Sequence, residues 1–231
     1  MKNQNISKKI LKWYDINKRD LPWRKPTSKK QRQYFTLVSE FMLQQTQVKT
    51  VIPYFKNFVK KIPNLKKLST VSDIKLMKCW EGLGYYSRAK NLKKSAKKII
   101  LDFNSNLPNT LDDLKTLPGI GSYTSSAIMA IAFNKPIIPL DGNVERIIKR
   151  VFYLRKEKDI LKDNLNKKKI FFGISKRASD YAQAIMEIGA LICRPRSPLC
   201  DECPLSKSCI SFKKNDFEIK AKIKSNKVKY F

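Results

Sequence analysis

The sequence predicts an all-α protein of about ten helices. Three features carry that expectation. Apolar residues recur at helical spacing through most of the chain, no stretch alternates long enough to argue a sheet, and breaks are sparse, with 7 Gly and 11 Pro in 231 residues. Ile6, Ile10, Leu11 and Tyr14 mark the first helix. Gln33 to Gln45 is apolar on nearly every side, as a buried helix is, and Thr46 to Lys60 follows after a short break. Leu92, Ala96, Ile99, Ile100 and Phe103 form one stripe with lysines between them. Thr110 and Asp113 resemble a capping box that opens a short helix to Thr116. Ser122 to Phe133, Val144 to Phe152 and Ala178 to Cys193 complete the set. The breaks fall at Leu21-Pro22-Trp23, the polar run Pro26 to Arg32, Leu107-Pro108, Leu117 to Gly121, and Pro136 to Pro139. Arg155 to Lys169 reads as an exposed helix or a connector, and Lys213 to Lys229 as a basic tail or linker.

Charge and missing residue types bound the chemistry. The chain has 49 Lys+Arg against 19 Asp+Glu, a net charge of +30, and no histidine. The sign of that charge implies a polyanionic partner, nucleic acid first, because Lys and Arg release counterions from a phosphate backbone. The other reading is compositional, with lysine as the default surface residue. Without histidine there is no Ser-His-Asp triad, no Cys-His pair and no histidine base, so acid–base work falls to carboxylates, Lys, Tyr or Cys. No lysine-faced helix carries a dominant apolar stripe, and no apolar run approaches a membrane span, so no membrane partner is expected. The N-terminal residues lack the apolar core of a signal peptide, so a cytoplasmic location is expected. In that reducing setting clustered cysteines point to a metal site rather than to disulfides.

Cys193, Cys200, Cys203 and Cys209 follow the pattern Cys-x6-Cys-x2-Cys-x5-Cys. Four thiolates at this density can hold zinc or an iron–sulfur cluster. Only one pair is short, and a cubane tolerates wider spacing than zinc, so the spacing favours [4Fe–4S]. Arg194, Arg196, Lys207 and Lys213 surround the segment and suggest that it faces phosphate, while Cys79 reads as a buried small hydrophobe. Leu117-Pro118-Gly119-Ile120-Gly121 lies between two helices. It is either a tight helix–helix turn or a helix-hairpin-helix whose glycines, Gly119 and Gly121, leave amides at the Ser122 helix free for phosphate. Two carboxylates sit in unlike places. Glu40 lies within an apolar helix, either on its polar edge or buried with a raised pKa fit for a general acid. Asp141 precedes the Val144 helix, as a plain N-cap or as a carboxylate kept ionised by the helix dipole. One protonated and one ionised carboxylate is what glycosidic cleavage needs.

Three stretches, Val38 to Val48 with its Met-Leu-Gln-Gln-Thr run, Trp80 to Ala89 with Gly-Leu-Gly-Tyr-Tyr, and Leu140 to Val144, resemble the adenine DNA glycosylases of the MutY type. Those belong to the helix-hairpin-helix DNA glycosylase superfamily that includes endonuclease III, and the resemblance runs from about Ile10 to Cys209. It implies two α-helical lobes with DNA between them and a C-terminal iron–sulfur cluster loop. One is a six-helix lobe over 24–137 with the hairpin. The other is a cluster lobe of 1–23 plus 138–212, and 213–231 is the tail. Carried over by position, Glu40 would protonate the leaving adenine and Asp141 would stabilise the sugar cation. Arg19, Trp23, Leu43 and Gln183 would line the base pocket. Gln44 and Tyr85 would wedge into the duplex, with Gln45, Arg88, Gly119 and Gly121 among the DNA contacts. The partner implied is mismatched double-stranded DNA, met by a monomer associated with the nucleoid.

Two departures refine that expectation. Strand-cleaving relatives carry a lysine nucleophile where this chain has Tyr123, which cannot form a Schiff base, so base removal without efficient strand cleavage is expected. Full-size members continue into a domain that reads 8-oxoguanine, and this chain stops at Phe231, where it would begin. The polar insert Thr27 to Gln33 also looks long for the family. The rival readings are a thymine-excising T:G mismatch glycosylase, a non-catalytic DNA-binding module, and a zinc-binding scaffold.

Overall fold

A computed structural model describes residues 2–155 and 162–217. Among them are twelve α-helices and no strand. In chain order these are α1 (Lys2–Asn17), α2 (Lys29–Leu43), α3 (Val48–Lys61), α4 (Leu65–Thr70), α5 (Asp73–Trp80), α6 (Ser87–Asp102), α7 (Leu111–Lys115), α8 (Ser122–Phe133), α9 (Gly142–Val151), α10 (Lys162–Lys168), α11 (Ala178–Glu187) and α12 (Ile210–Lys213). The helix count exceeds the sequence expectation mainly through α4 and α5. Both are too short to show periodicity, and each opens on a polar cap: Asn64 accepts from the Lys67 amide and Ser72 from the Lys75 amide. Residues 156–161 and the basic tail past 217 lie outside the described residues. No helix among the described residues is long and apolar enough to cross a membrane.

Two other expectations change. The polar run Pro26 to Arg32 is not a loop throughout but becomes the first turn of α2. Ser28 caps it, accepting from the Gln31 amide, and the Gln31 Oε1 in turn accepts from Thr27 N at 2.6 Å and Thr27 Oγ1 at 2.9 Å. The insert is a reciprocal cap. Ala178 to Cys193 is not one helix, because α11 passes at Ile188–Ile192 into a π-helical segment. The reason is packing. A Cβ on Gly189 would stand 2.5 Å from the Cβ of Asn143 and 3.1 Å from its Cα, so this backbone is pressed onto the start of α9.

The chain divides into two compact units. The middle unit holds 15–139 and 175–183; the terminal unit holds the described residues of 1–14, 140–174 and 184–231. These bounds differ from the lobes of the sequence reading, since 15–23, 138–139 and 175–183 fall in the middle unit rather than with the cysteines. Local bonds give the cause. Arg177 grips Asp15 through Nη1 at 2.9 Å and Nη2 at 2.6 Å. Asn134 donates to the Lys176 carbonyl and accepts from the Ser179 amide, and Ser179 Oγ donates to the Ile131 carbonyl.

The middle unit is built on α2, whose residues Tyr34 to Met42 are buried without interruption. It packs against α3, α6 and α8. The buried face of α8 is mostly small (Ser125, Ala127, Ala130), which lets the two backbones approach. Edge-to-face aromatics fill the rest: Trp23 on Phe55 at 5.4 Å, Phe35 on Phe55 at 5.1 Å, Phe58 on Trp80 at 6.0 Å. Cys79 is buried among them, as expected. In the terminal unit α9 turns Val144, Ile147, Ile148 and Val151 inward and packs on α10, α12 and the π segment.

Candidate functional site

Three loops of the middle unit are bonded to one another. The first is the hairpin. Thr110 caps α7, and the chain then turns through Leu117 to Gly121 into α8, with the Ile120 amide donating to the Leu117 carbonyl at 3.1 Å. Gly119 is left-handed at φ +81°, and a Cβ there would meet Phe41 Cε1 at 2.9 Å and Asn91 Cβ at 3.0 Å. Gly121 precedes Ser122 with no side-chain cap, so the first amides of α8 have no capping side chain. Ser95 Oγ and Lys98 Nζ, both from α6, donate to the carbonyls of Pro118 at 2.8 Å and Thr116 at 3.2 Å. Gly119→Ala is therefore expected to cost about 1–3 kcal/mol, from the strained φ alone, before the push on Phe41 is counted. Thermal denaturation checks it, and an unchanged melting temperature would contradict this geometry.

The second loop follows α2. Gln44 Nε2 donates to the Gly119 carbonyl at 3.2 Å, and Gln45 is exposed at φ +55°. The third joins α5 to α6. Gly82, Gly84 and Tyr85 all have positive φ, and the Tyr85 ring is 61% exposed. Arg88, expected on the DNA surface, is instead buried beneath it, with its guanidinium turned onto backbone carbonyls. The physical reason is the C-terminus of α2, whose last carbonyls need donors.

A second group lies nearby in the chain's early turns. Trp23 is half-buried on Phe55, and Leu43 packs against the core. Arg24, which the sequence reading passed over, donates through Nε to Gln183 Oε1 at 2.7 Å and through Nη1 to the Arg19 carbonyl at 3.1 Å. Gln183 Nε2 donates to Ser179 O and Oγ, so the orientation of this amide is fixed. Arg24 adjoins the conspicuous Pro22-Trp23, and its adjacency to Arg19 and Trp23 was the available signal. Glu40 is 6% exposed on α2, in the same unit, and Tyr123 is half-buried in the first turn of α8.

The remaining residues belong to the terminal unit. Asp141 caps α9, accepting from Val144 N at 2.7 Å and from Asn143 Nδ2 at 3.1 Å. The helix terminus alone would hold its carboxyl down. Burial outweighs those bonds and raises it from its ordinary value, opposite to the expected direction. Arg146 ties the start of α9 to the cysteine segment, donating to Asn143 Oδ1 at 2.8 Å, Gly189 O at 2.6 Å and Cys193 O at 2.6 Å. Arg150, buried, donates to Arg194 O, Pro195 O and Cys193 Sγ. Cys193, Cys200, Cys203 and Cys209 line one cavity with Ile147, Ile188, Ile192 and Leu205. Burial and then the neighbouring sulfurs raise Cys200, Cys203 and Cys209, Cys203 to about 12. Among the described residues no three Cys, Asp or Glu side chains close on a single-ion site. The thiols ring a space instead.

A left-handed glycine turn between two helices, the second without a side-chain cap, is the geometry of a helix-hairpin-helix. Residues 38–169, more than half of the chain, match the HhH-GPD superfamily of base excision DNA repair proteins. The chain belongs to that superfamily. Residues 193–209 match the iron–sulfur binding domain of endonuclease III. This decides between zinc and iron–sulfur, and soft thiolate donors around an apolar space suit such a group. An adenine DNA glycosylase of Buchnera aphidicola subsp. Schizaphis graminum is 38% identical, covering 96% of this chain and 63% of its own. One of Homo sapiens is 39% identical, covering 87% and 38%. The chain thus spans less than two thirds of the curated relatives it matches. Among solved structures, a thermostable thymine-DNA glycosylase superposes with a TM-score of 0.79 at 28% identity, covering 92% of this chain and 97% of that one.

Proposed function

We propose that this chain removes adenine from mispaired duplex DNA, opposite guanine or 8-oxoguanine, by hydrolysing its N-glycosidic bond. The observation that carries this reading is the 38% identity with an adenine DNA glycosylase over 96% of the chain. In the reaction, Glu40 gives its proton to a ring nitrogen of adenine as the C1′–N9 bond breaks and its electron pair leaves with the base. The carboxylate of Asp141 stabilises the oxocarbenium sugar, water adds to C1′ and loses a proton, and adenine and an abasic site result. Trp23, Leu43, Arg19 and Gln183 form the base pocket, with Arg24 fixing the Gln183 amide. Gln44 and Tyr85 enter the duplex, with Gln45 a further DNA contact, since a base must leave the stack to be reached. The hairpin amides bind phosphate. Tyr123 offers no amine, so the strand stays uncut. A [4Fe–4S] cluster on Cys193, Cys200, Cys203 and Cys209 supplies folding free energy to the segment that Arg146 and Arg150 hold.

Single-turnover base release tests this on three duplexes: A opposite 8-oxoguanine, A opposite G, and T opposite G, with abasic sites revealed by alkali. Adenine release establishes the reading. Thymine release replaces it with the second reading, favoured by the structural likeness to a thymine-DNA glycosylase. Binding with no release from any duplex leaves a DNA-binding module. Nicking without alkali would overturn the role of Tyr123.

The acid side of the pH profile reports Asp141. Its carboxyl is raised by burial and must be ionised to act, so excision is lost as pH falls through that raised value. Asn143 opposes the raise by donating to Asp141. Asn143→Ala is therefore expected to move the acid limb of the rate profile to higher pH. A limb that stays in place or moves down would show that Asp141 does not set it.

A further inference from the structure

We propose that Arg88 is a positioning residue that locks two strand-inserting loops, the turn after α2 and the loop between α5 and α6, into one rigid wedge. This rests on the reading that the chain acts on duplex DNA. A cation beside two exposed tyrosines suggests a phosphate contact, but Arg88 is 6% exposed and both of its Nη groups donate inside the protein. Nη1 donates to the carbonyls of Phe41 at 3.2 Å, Met42 at 2.8 Å and Gln44 at 2.5 Å. Nη2 donates to those of Leu83 at 3.2 Å and Gly84 at 3.1 Å. The first three end α2 and the last two belong to the other loop, so one planar fork joins both. The guanidinium also lies 5.4 Å from the Tyr85 ring centroid and 5.6 Å from that of Trp80. Trp80 Nε1 adds a donor to the Gly84 carbonyl at 3.1 Å.

The backbone that Arg88 holds is strained. Gln45, Gly82, Gly84 and Tyr85 all have positive φ, and two of them are not glycine. Such conformations persist only where the surroundings fix them. Their product is Tyr85 at 61% and Tyr86 at 45% exposed, standing out from the surface. Extruding a base works against stacking and pairing, so a wedge that yields transmits less of that work. Lysine cannot replace Arg88, because a point ammonium cannot reach five carbonyls on two loops.

The test uses the full chain and Arg88→Lys. The substrates carry adenine opposite G or opposite an abasic-site analogue, where the adenine has no partner to leave. Excision from the mispair is expected to fall about 30-fold and from the partnerless adenine less than about threefold. Fluorescence of 2-aminopurine beside the mispair is expected to show the loss of extrusion directly. Equal losses on both substrates, or no loss on either, would overturn the proposal, since general loosening moves both alike. If R88K does not fold, amide exchange of the wild type decides. The amides of Thr46, Leu83 and Arg88, bonded within these loops, must be protected in the DNA-free protein, and rapid exchange there would overturn the lock. Should the wild type release no base at all, the proposed function fails, while the fluorescence and exchange still read the wedge.

Discussion

Glu40→Gln is expected to bind mismatched duplex as the wild type does and to release adenine about a thousandfold more slowly. The amide keeps the shape and hydrogen-bonding capacity of the carboxyl but has no acidic proton to give. Because Glu40 sits at 6% exposure within a fully buried stretch of α2, a near-isosteric change there is needed to keep the helix packed. Equal melting temperatures for variant and wild type make the loss a chemical one. Asp141→Asn removes the charge proposed to stabilise the sugar cation and is expected to cost about 10²- to 10³-fold. It keeps an oxygen to accept from the Val144 amide, so the start of α9 survives. Retention of more than about a tenth of the wild-type rate by E40Q, measured in single turnover, would remove Glu40 from the acid role.

Cys203→Ala is expected to give a colourless protein in which the terminal unit no longer folds. Metal binding to a site absent from the unfolded chain is folding free energy, on the order of 10 kcal/mol for a structural thiolate site. Whole domains are stable by only about 5–15 kcal/mol. Without the group, the four thiols ring a space lined by Ile147, Ile188, Ile192 and Leu205, closed only by side-chain packing and the hydrogen bonds of Arg146 and Arg150. Visible absorption and circular dichroism follow colour and fold together. A folded, colourless variant that still excises adenine would reduce the cluster to an ornament of the segment, and zinc in the purified wild type would restore the scaffold reading.

The parts of the site that were legible in the sequence are those where one residue type has one physical use. Gly119 at φ +81° and the four cysteines are of this kind, and so is Thr110, whose spacing to Asp113 announces a cap. Residues whose type serves several purposes were misread. Arg88 was counted among the DNA contacts by its position in the family motif, and a guanidinium serves DNA and carbonyl alike, so only the fold reveals that the end of α2 lies against it. Arg24 was passed over because its partner Gln183 is far along the chain, and nothing local ties the two. Asp141 was placed correctly as a cap, yet burial, which a sequence shows poorly for a single polar residue, reversed the direction of its shift. The polar run Pro26 to Arg32 read as a break because lysines and hydroxyls fill it, although Ser28 and Gln31 already spelled a reciprocal cap. The π segment needed the contact of Gly189 with Asn143, which has no local signature at all.

The order of the two units along the chain bears on how the protein is made. Most of the middle unit is one uninterrupted run, 15–139, whereas the terminal unit gathers its first helix, α9 and the cysteine segment from separate places. A ribosome therefore delivers nearly all of the middle unit before the first residue of α9 emerges. At about 5–20 residues per second, the synthesis of 140–209 takes several seconds more. During that interval Ile10 and Tyr14, buried in the finished molecule, wait on the nascent chain without the partners of their own unit. Newly made chains are thus expected to pass through a stage in which the hairpin is shaped and the cysteines are still unspoken, exposed to chaperones through their N-terminal helix and open to iron delivery as Cys209 arrives.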